Sequence, residues 1–113
     1  MRHVTIGPVT IGNDLPLGFI CGPCQIESRA HALETAAALA EMAKAAGVPL
    51  IYKSSYDKAN RTSVNAARGI GMAEGLAILA EVHEKTGLPT LTDVHLPDHC
   101  APAAEAVEVL QIP

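Results

Sequence analysis

Gly47-Val48-Pro49-Leu50-Ile51-Tyr52-Lys53 and Gly87-Leu88-Pro89-Thr90-Leu91-Thr92-Asp93 are two copies of one pattern. In each, a glycine ends a helix-forming stretch, an aliphatic residue and a proline follow, and a short β-prone run begins. The glycines stand 40 residues apart, and Lys53 and Asp93 hold the same place, six residues after the glycine. Before the first copy, Ala30 to Ala46 reads as a helix, with Ser28 as N-cap and Gly47 as the closing residue. Its apolar stripe is Leu33, Ala37, Ala40 and Ala43. Before the second copy, Met72 to Lys85 reads as a helix with Met72, Leu76, Leu79 and His83 on one face. Helices alternating with apolar strands imply parallel pairing and helical crossovers, an α/β fold. Ligands in such folds bind at the C-terminal strand ends. Cys24, Lys53, Ser55, Lys58, Asp93 and His95 fall there.

Toward the N-terminus, Val4-Thr5-Ile6 and Val9-Thr10-Ile11 flank Gly7-Pro8, the signature of a hairpin. Leu17 to Cys21 is a brief apolar run, read as a buried strand ending at Gly22-Pro23. Toward the C-terminus, Pro97 opens a short helical stretch to about Ala106, and Val107 to Ile112 is a further apolar run. The expected layout is a hairpin cap over residues 1–17 and βα units over 18–113, with four strands. A (β/α)8 TIM barrel typically takes ~250 residues, so this single domain is expected to be the N-terminal half of one.

Composition sets limits. The 113 residues carry 8 Lys+Arg and 12 Asp+Glu, a formal net charge of −4. That excludes the basic footprint of a general nucleic-acid binder and of a protein docked on an anionic membrane. Hydrophobic residues make up 49%, too many for a disordered chain. No apolar run reaches the ~20 residues of a membrane span, and Met1-Arg2-His3-Val4-Thr5 is not the start of a signal peptide. A cytoplasmic protein is expected. With no Trp and one Phe, core volume must come from aliphatic residues. The apolar surplus in so short a chain points to burial against something further.

Cys21-Gly22-Pro23-Cys24 admits three readings: a redox dithiol, a source of a metal ligand, or two small residues at a strand end. It is only half of a structural zinc site, and no second pair completes it. His95 and His99 are spaced i, i+4, but Pro97 between them opposes a regular helix. Lys53-Ser54-Ser55-Tyr56-Asp57-Lys58-Ala59-Asn60-Arg61-Thr62-Ser63 gathers two Lys, one Arg and several hydroxyls after a strand. It is either a solvated loop or an anion site, with Arg as a bidentate fork and Lys as a point charge. Neither phosphate-binding glycine motif is present: there is no G-x-x-x-x-G-K-[ST] and no G-x-G-x-x-G. Asp93 and His95 share a face by strand alternation and suit proton transfer, metal binding or a purely structural hydrogen bond.

Phe19-Ile20-Cys21-Gly22-Pro23-Cys24-Gln25-Ile26-Glu27-Ser28, the Lys53 to Ser63 segment, Arg68-Gly69-Ile70-Gly71-Met72-Ala73-Glu74-Gly75-Leu76 and Thr92-Asp93-Val94-His95 follow one another in a familiar order and spacing. Together they resemble the 3-deoxy-D-manno-octulosonate 8-phosphate (KDO8P) synthase family over nearly the whole chain. The Lys58-Ala59-Asn60-Arg61-Thr62-Ser63 segment is the specific part. The related DAHP synthases carry a K-P-R-T type segment instead.

The resemblance implies a (β/α)8 barrel, usually a homotetramer, that condenses phosphoenolpyruvate with arabinose 5-phosphate and water. The products are KDO 8-phosphate and phosphate, and the pathway is lipopolysaccharide biosynthesis. It implies that Lys53, Ser55 and Lys58 hold phosphoenolpyruvate. Asn60, Arg61 and Thr62 would contact arabinose 5-phosphate, Arg61 chiefly its phosphate. Asp93 would lie near the reacting aldehyde. Cys24 matches the cysteine ligand of the metal-dependent class, whose divalent metal is Zn, Fe, Mn or Cd. Ile70 departs from the family pattern, which has Pro there.

The family's other metal ligands, and a further Lys and Arg for phosphoenolpyruvate, come from a second half that these residues do not include. The chain alone is therefore expected to lack synthase activity and to expose its first and fourth strands. Cys21 and Cys100 receive no role. Two alternatives stand: a DAHP synthase, and a thioredoxin-like Cys-Gly-Pro-Cys oxidoreductase. The latter has against it the hairpin-then-strand start and the lack of a Trp before Cys21.

Overall fold

Gly47 and Gly87 adopt left-handed conformations, φ 69° and 76°, which a side chain would disfavour. Each ends a helix and turns the chain back toward a strand. The computed structural model describes residues 1–57 and 70–113; the expected ligands Lys58, Asn60, Arg61 and Thr62 lie outside them. Strands β1 (Val4–Ile6) and β2 (Val9–Ile11) form an antiparallel hairpin with Thr5 opposite Thr10. Gly7, at φ 56°, supplies the positive φ that a two-residue hairpin loop needs. Then follow β3 (Phe19–Cys21), α1 (Arg29–Ala46), β4 (Leu50–Lys53), α2 (Met72–Thr86), β5 (Thr90–Asp93), a 3-10 turn (Pro97–His99), α3 (Cys100–Ala106) and β6 (Val109–Gln111).

The four later strands make one parallel sheet in the order β3-β4-β5-β6. Each strand is added beside its predecessor, so the order never reverses as it does at the switch point of a doubly wound sheet. Two clusters of buried side chains separate the faces. Tyr52 packs with Ala32 and Ala36 of α1, with Leu76, Leu79 and Val82 of α2, and with Ala103 of α3. On the other face, Ile51 and Leu91 are buried against Val9 of the hairpin, flanked by Ile6, Ile11 and Val109. Burial of an aliphatic side chain contributes roughly 1.5–3 kcal/mol, so this small cluster suffices to seat the hairpin. Strand alternation then puts Lys53 and Asp93 on the hairpin's face, beyond Ile51 and Leu91 at the strand ends.

The expected helices, caps and strand order all appear, with three corrections. The buried stripe of α1 is Ala32, Ala36 and Ala43; Ala37 is exposed. In α2, His83 is exposed and Val82 is buried. Ala43, Leu76 and Leu79 are buried as expected, and Leu33 and Met72 pack against the core; Ala37 and His83 each stand one residue past a buried position, where small or amphipathic side chains mark the stripe poorly. Leu17 precedes the strand, which begins at Phe19 and is not buried as expected: Leu17, Phe19 and Ile20 are all exposed, since β3 is an edge of the sheet.

Candidate active site

Past their last sheet residues, β3 and β4 continue side by side. Ser55 N–H donates to the Cys24 carbonyl at 3.2 Å, and Ile26 N–H donates to the Ser55 carbonyl at 2.9 Å. Hydroxyls then lace the strand ends together. Ser54 Oγ donates to the Pro23 carbonyl at 2.7 Å, and Thr92 Oγ1 to the Ser54 carbonyl at 2.9 Å. Gly22 permits this approach, since a Cβ there would stand 1.7 Å from the Lys53 carbonyl oxygen. Buried hydroxyls are tolerated because each finds an acceptor.

Ile20, Cys21, Gly22, Pro23, Cys24, Lys53, Ser55 and Asp93 line a cavity of about 340 Å³ at these ends. Four of the expected site residues, Cys24, Lys53, Ser55 and Asp93, thus meet in one place. Among the described residues the Lys53 ammonium has no ion-pair partner, and Asp93 Oδ1 is buried without a hydrogen bond. Ser55 differs from expectation in its engagement. Its hydroxyl donates to the Asp57 carbonyl at 2.5 Å and accepts from Asp57 N–H at 3.2 Å. It must rotate away to donate to an anion.

Lys53 and Asp93, equivalent in the repeat, are not level in the sheet. Lys53 pairs with Leu91, so Asp93 stands one pleat further along. A cation and a carboxylate therefore occupy different depths of one cavity. His95 Nε2 lies 3.5 Å from Asp93 Oδ2 and 2.8 Å from the Asp57 carbonyl. His95 itself, however, lines a second, mainly apolar cavity of about 520 Å³ with Leu96, Cys100 and Ile112. Tyr56 was not among the expected site residues. It is fully buried, touches both His95 and His99, and was visible only as the one aromatic within the polar stretch. Burial, with the charge of Asp93, raises its phenol pKa above the ordinary value.

The cysteines are free thiols, Cys24 exposed and Cys21 half-buried. A thioredoxin-type dithiol is placed at a helix N-terminus. Here α1 begins only at Arg29, well past Cys24, and Gln25 between them pairs in parallel with Ser55. That arrangement opposes the oxidoreductase alternative. Nor do the described residues bring three His, Cys, Asp or Glu together as a metal site. A catalytic metal takes about three protein ligands, so these residues do not hold one unaided. No helix among them is long and apolar enough to cross a membrane.

Three relatives match nearly the whole chain. The chain is 66% identical over all 113 residues to the 2-dehydro-3-deoxyphosphooctonate aldolase of Caulobacter vibrioides. Over 110 residues, 97% of the chain, it is 61% identical to the protein of that name from Rhodopseudomonas palustris strain BisB5. The Bradyrhizobium diazoefficiens protein of that name is 59% identical over the same length. The chain spans about two fifths of these relatives, 39%, 38% and 39% of their lengths respectively. The pattern describing the DAHP synthetase I family matches residues 2–113. By that match and these identities, the chain belongs to the DAHP synthetase I family.

Proposed function

We propose that these residues form the phosphoenolpyruvate-binding portion of a cytoplasmic 3-deoxy-D-manno-octulosonate 8-phosphate synthase, a transferase of lipopolysaccharide biosynthesis. In this reading, β3 to β6 are the first four strands of a (β/α)8 barrel, the hairpin plugs its N-terminal mouth, and the enzyme is a homotetramer. The observation that carries the reading is the cavity at the strand ends, lined by Lys53, which has no ion-pair partner among the described residues, and by Asp93, one of whose carboxylate oxygens has no hydrogen-bond partner among them. A cation without a partner favours an anion, and a cavity at parallel strand ends is where such folds bind one.

The chemistry joins the methylene carbon of phosphoenolpyruvate to the aldehyde carbon of arabinose 5-phosphate. Water adds its oxygen at the enol carbon, and inorganic phosphate leaves. Both substrates are anions, so bringing them together is costly unless cations offset the repulsion. Lys53, with Lys58, takes the phosphate and carboxylate of phosphoenolpyruvate, and Ser55 adds a hydroxyl once it turns from Asp57. Asn60, Arg61 and Thr62 take arabinose 5-phosphate, Arg61 by a bidentate grip on its phosphate. Asp93 sits nearest the aldehyde and holds a proton-accepting oxygen there. Cys24 is the one residue of this chain proposed as a ligand to a divalent metal (Zn, Fe, Mn or Cd), the other ligands coming from beyond these residues.

The names of the relatives favour this sugar acceptor over the erythrose 4-phosphate of DAHP synthases. A chimera in which this chain replaces the matching segment of the Caulobacter vibrioides relative tests the assignment. Arg61→Ala in it is expected to raise KM for arabinose 5-phosphate at least tenfold, with KM for phosphoenolpyruvate within about twofold, since removal of one charge-assisted pair costs roughly 1.5–3 kcal/mol. Equal effects on both substrates would contradict the roles given to Arg61 and Lys53.

A further inference from the structure

Tyr56 is held at both ends. At its backbone, Gly75 of α2 comes so close that a Cβ there would stand 2.5 Å from Tyr56 Cβ. At its tip, the hydroxyl shares a 2.8 Å hydrogen bond with His99 Nδ1. Between these anchors the ring meets His95 edge-on, centroids 5.6 Å apart at 69°, and His99 at 5.7 Å and 61°. The chain after β5 brings both histidines to one ring without a helix: Leu96 is extended, and Pro97 opens a 3-10 turn that carries His99. A ring 1% exposed and fixed at both ends acts as a rigid post against which the His95 imidazole can take few orientations.

The orientation it takes has a chemical consequence. The Asp57 carbonyl can only accept, so His95 Nε2, 2.8 Å away, carries the proton and donates it. The same N–H lies 3.5 Å from Asp93 Oδ2, beside that carboxylate but not bonded to it at hydrogen-bond length. His95 Nε2 thereby stands beside one oxygen of Asp93, while the other, Oδ1, has no hydrogen-bond partner among the described residues.

We propose that Tyr56 is a positioning residue: tethered to His99, it fixes the His95 ring so that its Nε2–H stays on the Asp57 carbonyl and beside Asp93. This deepens the proposed function, on which the importance of Asp93 rests, but the positioning itself is a property of this chain and can be read without substrate. The titratable groups around the phenol are Asp93, His95, His99, Asp57 and Cys100, and the measurement is therefore made at one fixed, near-neutral pH.

The readout is solvent exchange of the His95 ring Nε2–H proton by nitrogen-edited NMR. Backbone amide exchange of Tyr52 and Thr92 serves as the internal control. Tyr56→Phe keeps the ring and its volume but removes the tether; His99→Leu, which has no hydrogen-bonding atom, removes it from the other side and stands in if the first variant folds poorly. In either variant the His95 proton is expected to exchange at least tenfold faster, with the two control amides unchanged. An unchanged His95 rate would overturn the proposal. Equal acceleration of the His95 proton and the controls would also overturn it, by reducing Tyr56 to general support of the fold. Neither outcome bears on phosphate release, so this proposal and the proposed function can fail separately.

Discussion

Gly22 has no room for a side chain, because the Lys53 carbonyl oxygen occupies the place a Cβ would take. Relief would mean pulling apart β3 and β4, whose strand ends also position Cys24 and Ser55. Gly22→Ala is expected to lower unfolding free energy by about 3 kcal/mol or more, read as the urea midpoint. Lys53 is the opposite case: with no ion-pair partner among the described residues, its removal should leave that midpoint within about 0.5 kcal/mol while harming substrate binding. The phenols give a pH test. Burial pushes Tyr52 up to about 12 from an ordinary 10. A group whose folded value lies above its unfolded one contributes stability that is complete below pH 10 and lost as pH rises toward 12. With two Tyr and no Trp in the chain, absorbance at the tyrosinate band follows this directly. Ionisation of Tyr52 at its ordinary value in the folded protein would contradict its burial.

At the scale of elements, α1 and α2 are joined on their outer side by Arg29, which donates from Nε to Glu81 Oε2 at 2.8 Å and from its second nitrogen to Glu81 Oε1. Arg29 lowers the Glu81 pKa from its ordinary 4.5, with Lys85 adding to the effect. A carboxylate with a depressed folded value contributes stability present above its unfolded value and lost as pH falls through the folded one. Urea midpoints should therefore fall on acidification below about pH 4.5, and Glu81→Gln should flatten part of that slope. A parallel decline in the variant would show that other carboxylates carry it. Helix ends were legible in the sequence because capping chemistry is local: Ser28 accepts from His31 N–H at 3.0 Å, as its position suggested. Helix faces were less so. Which Ala of α1 is buried depends on the neighbours it meets, and alanines give a periodic reading little contrast.

Across the whole molecule, the repeat around Gly47 and Gly87 determined the parallel sheet, and that much could be read from residues alone. Strand alternation also located Lys53 and Asp93 on one face. It could not show their offset by one pleat, which depends on pairing between distant strands, nor that Ser55 spends its hydroxyl on Asp57. Tyr56 escaped notice because its partners, His95 and His99, lie some forty residues on and meet it only in the fold. The sheet ends in β3 on one side and β6 on the other, and Leu17, Phe19, Ile20 and Ile112 are exposed nearby. Unpaired edges beside apolar side chains favour association, so this chain by itself should show concentration-dependent oligomers in sedimentation. A strict monomer at high concentration would mean those edges are better protected than their exposure indicates. Lys53 and its neighbours at the strand ends are proposed to hold phosphoenolpyruvate for reaction. The most direct test of that role is inorganic phosphate release from phosphoenolpyruvate and arabinose 5-phosphate by the Caulobacter vibrioides chimera carrying this chain. Release is expected, with a loss of about 100-fold or more in kcat/KM on Lys53→Ala, the scale of removing one charged contact to a reacting anion. A folded chimera that releases no phosphate, or one whose rate Lys53→Ala leaves unchanged, would contradict it.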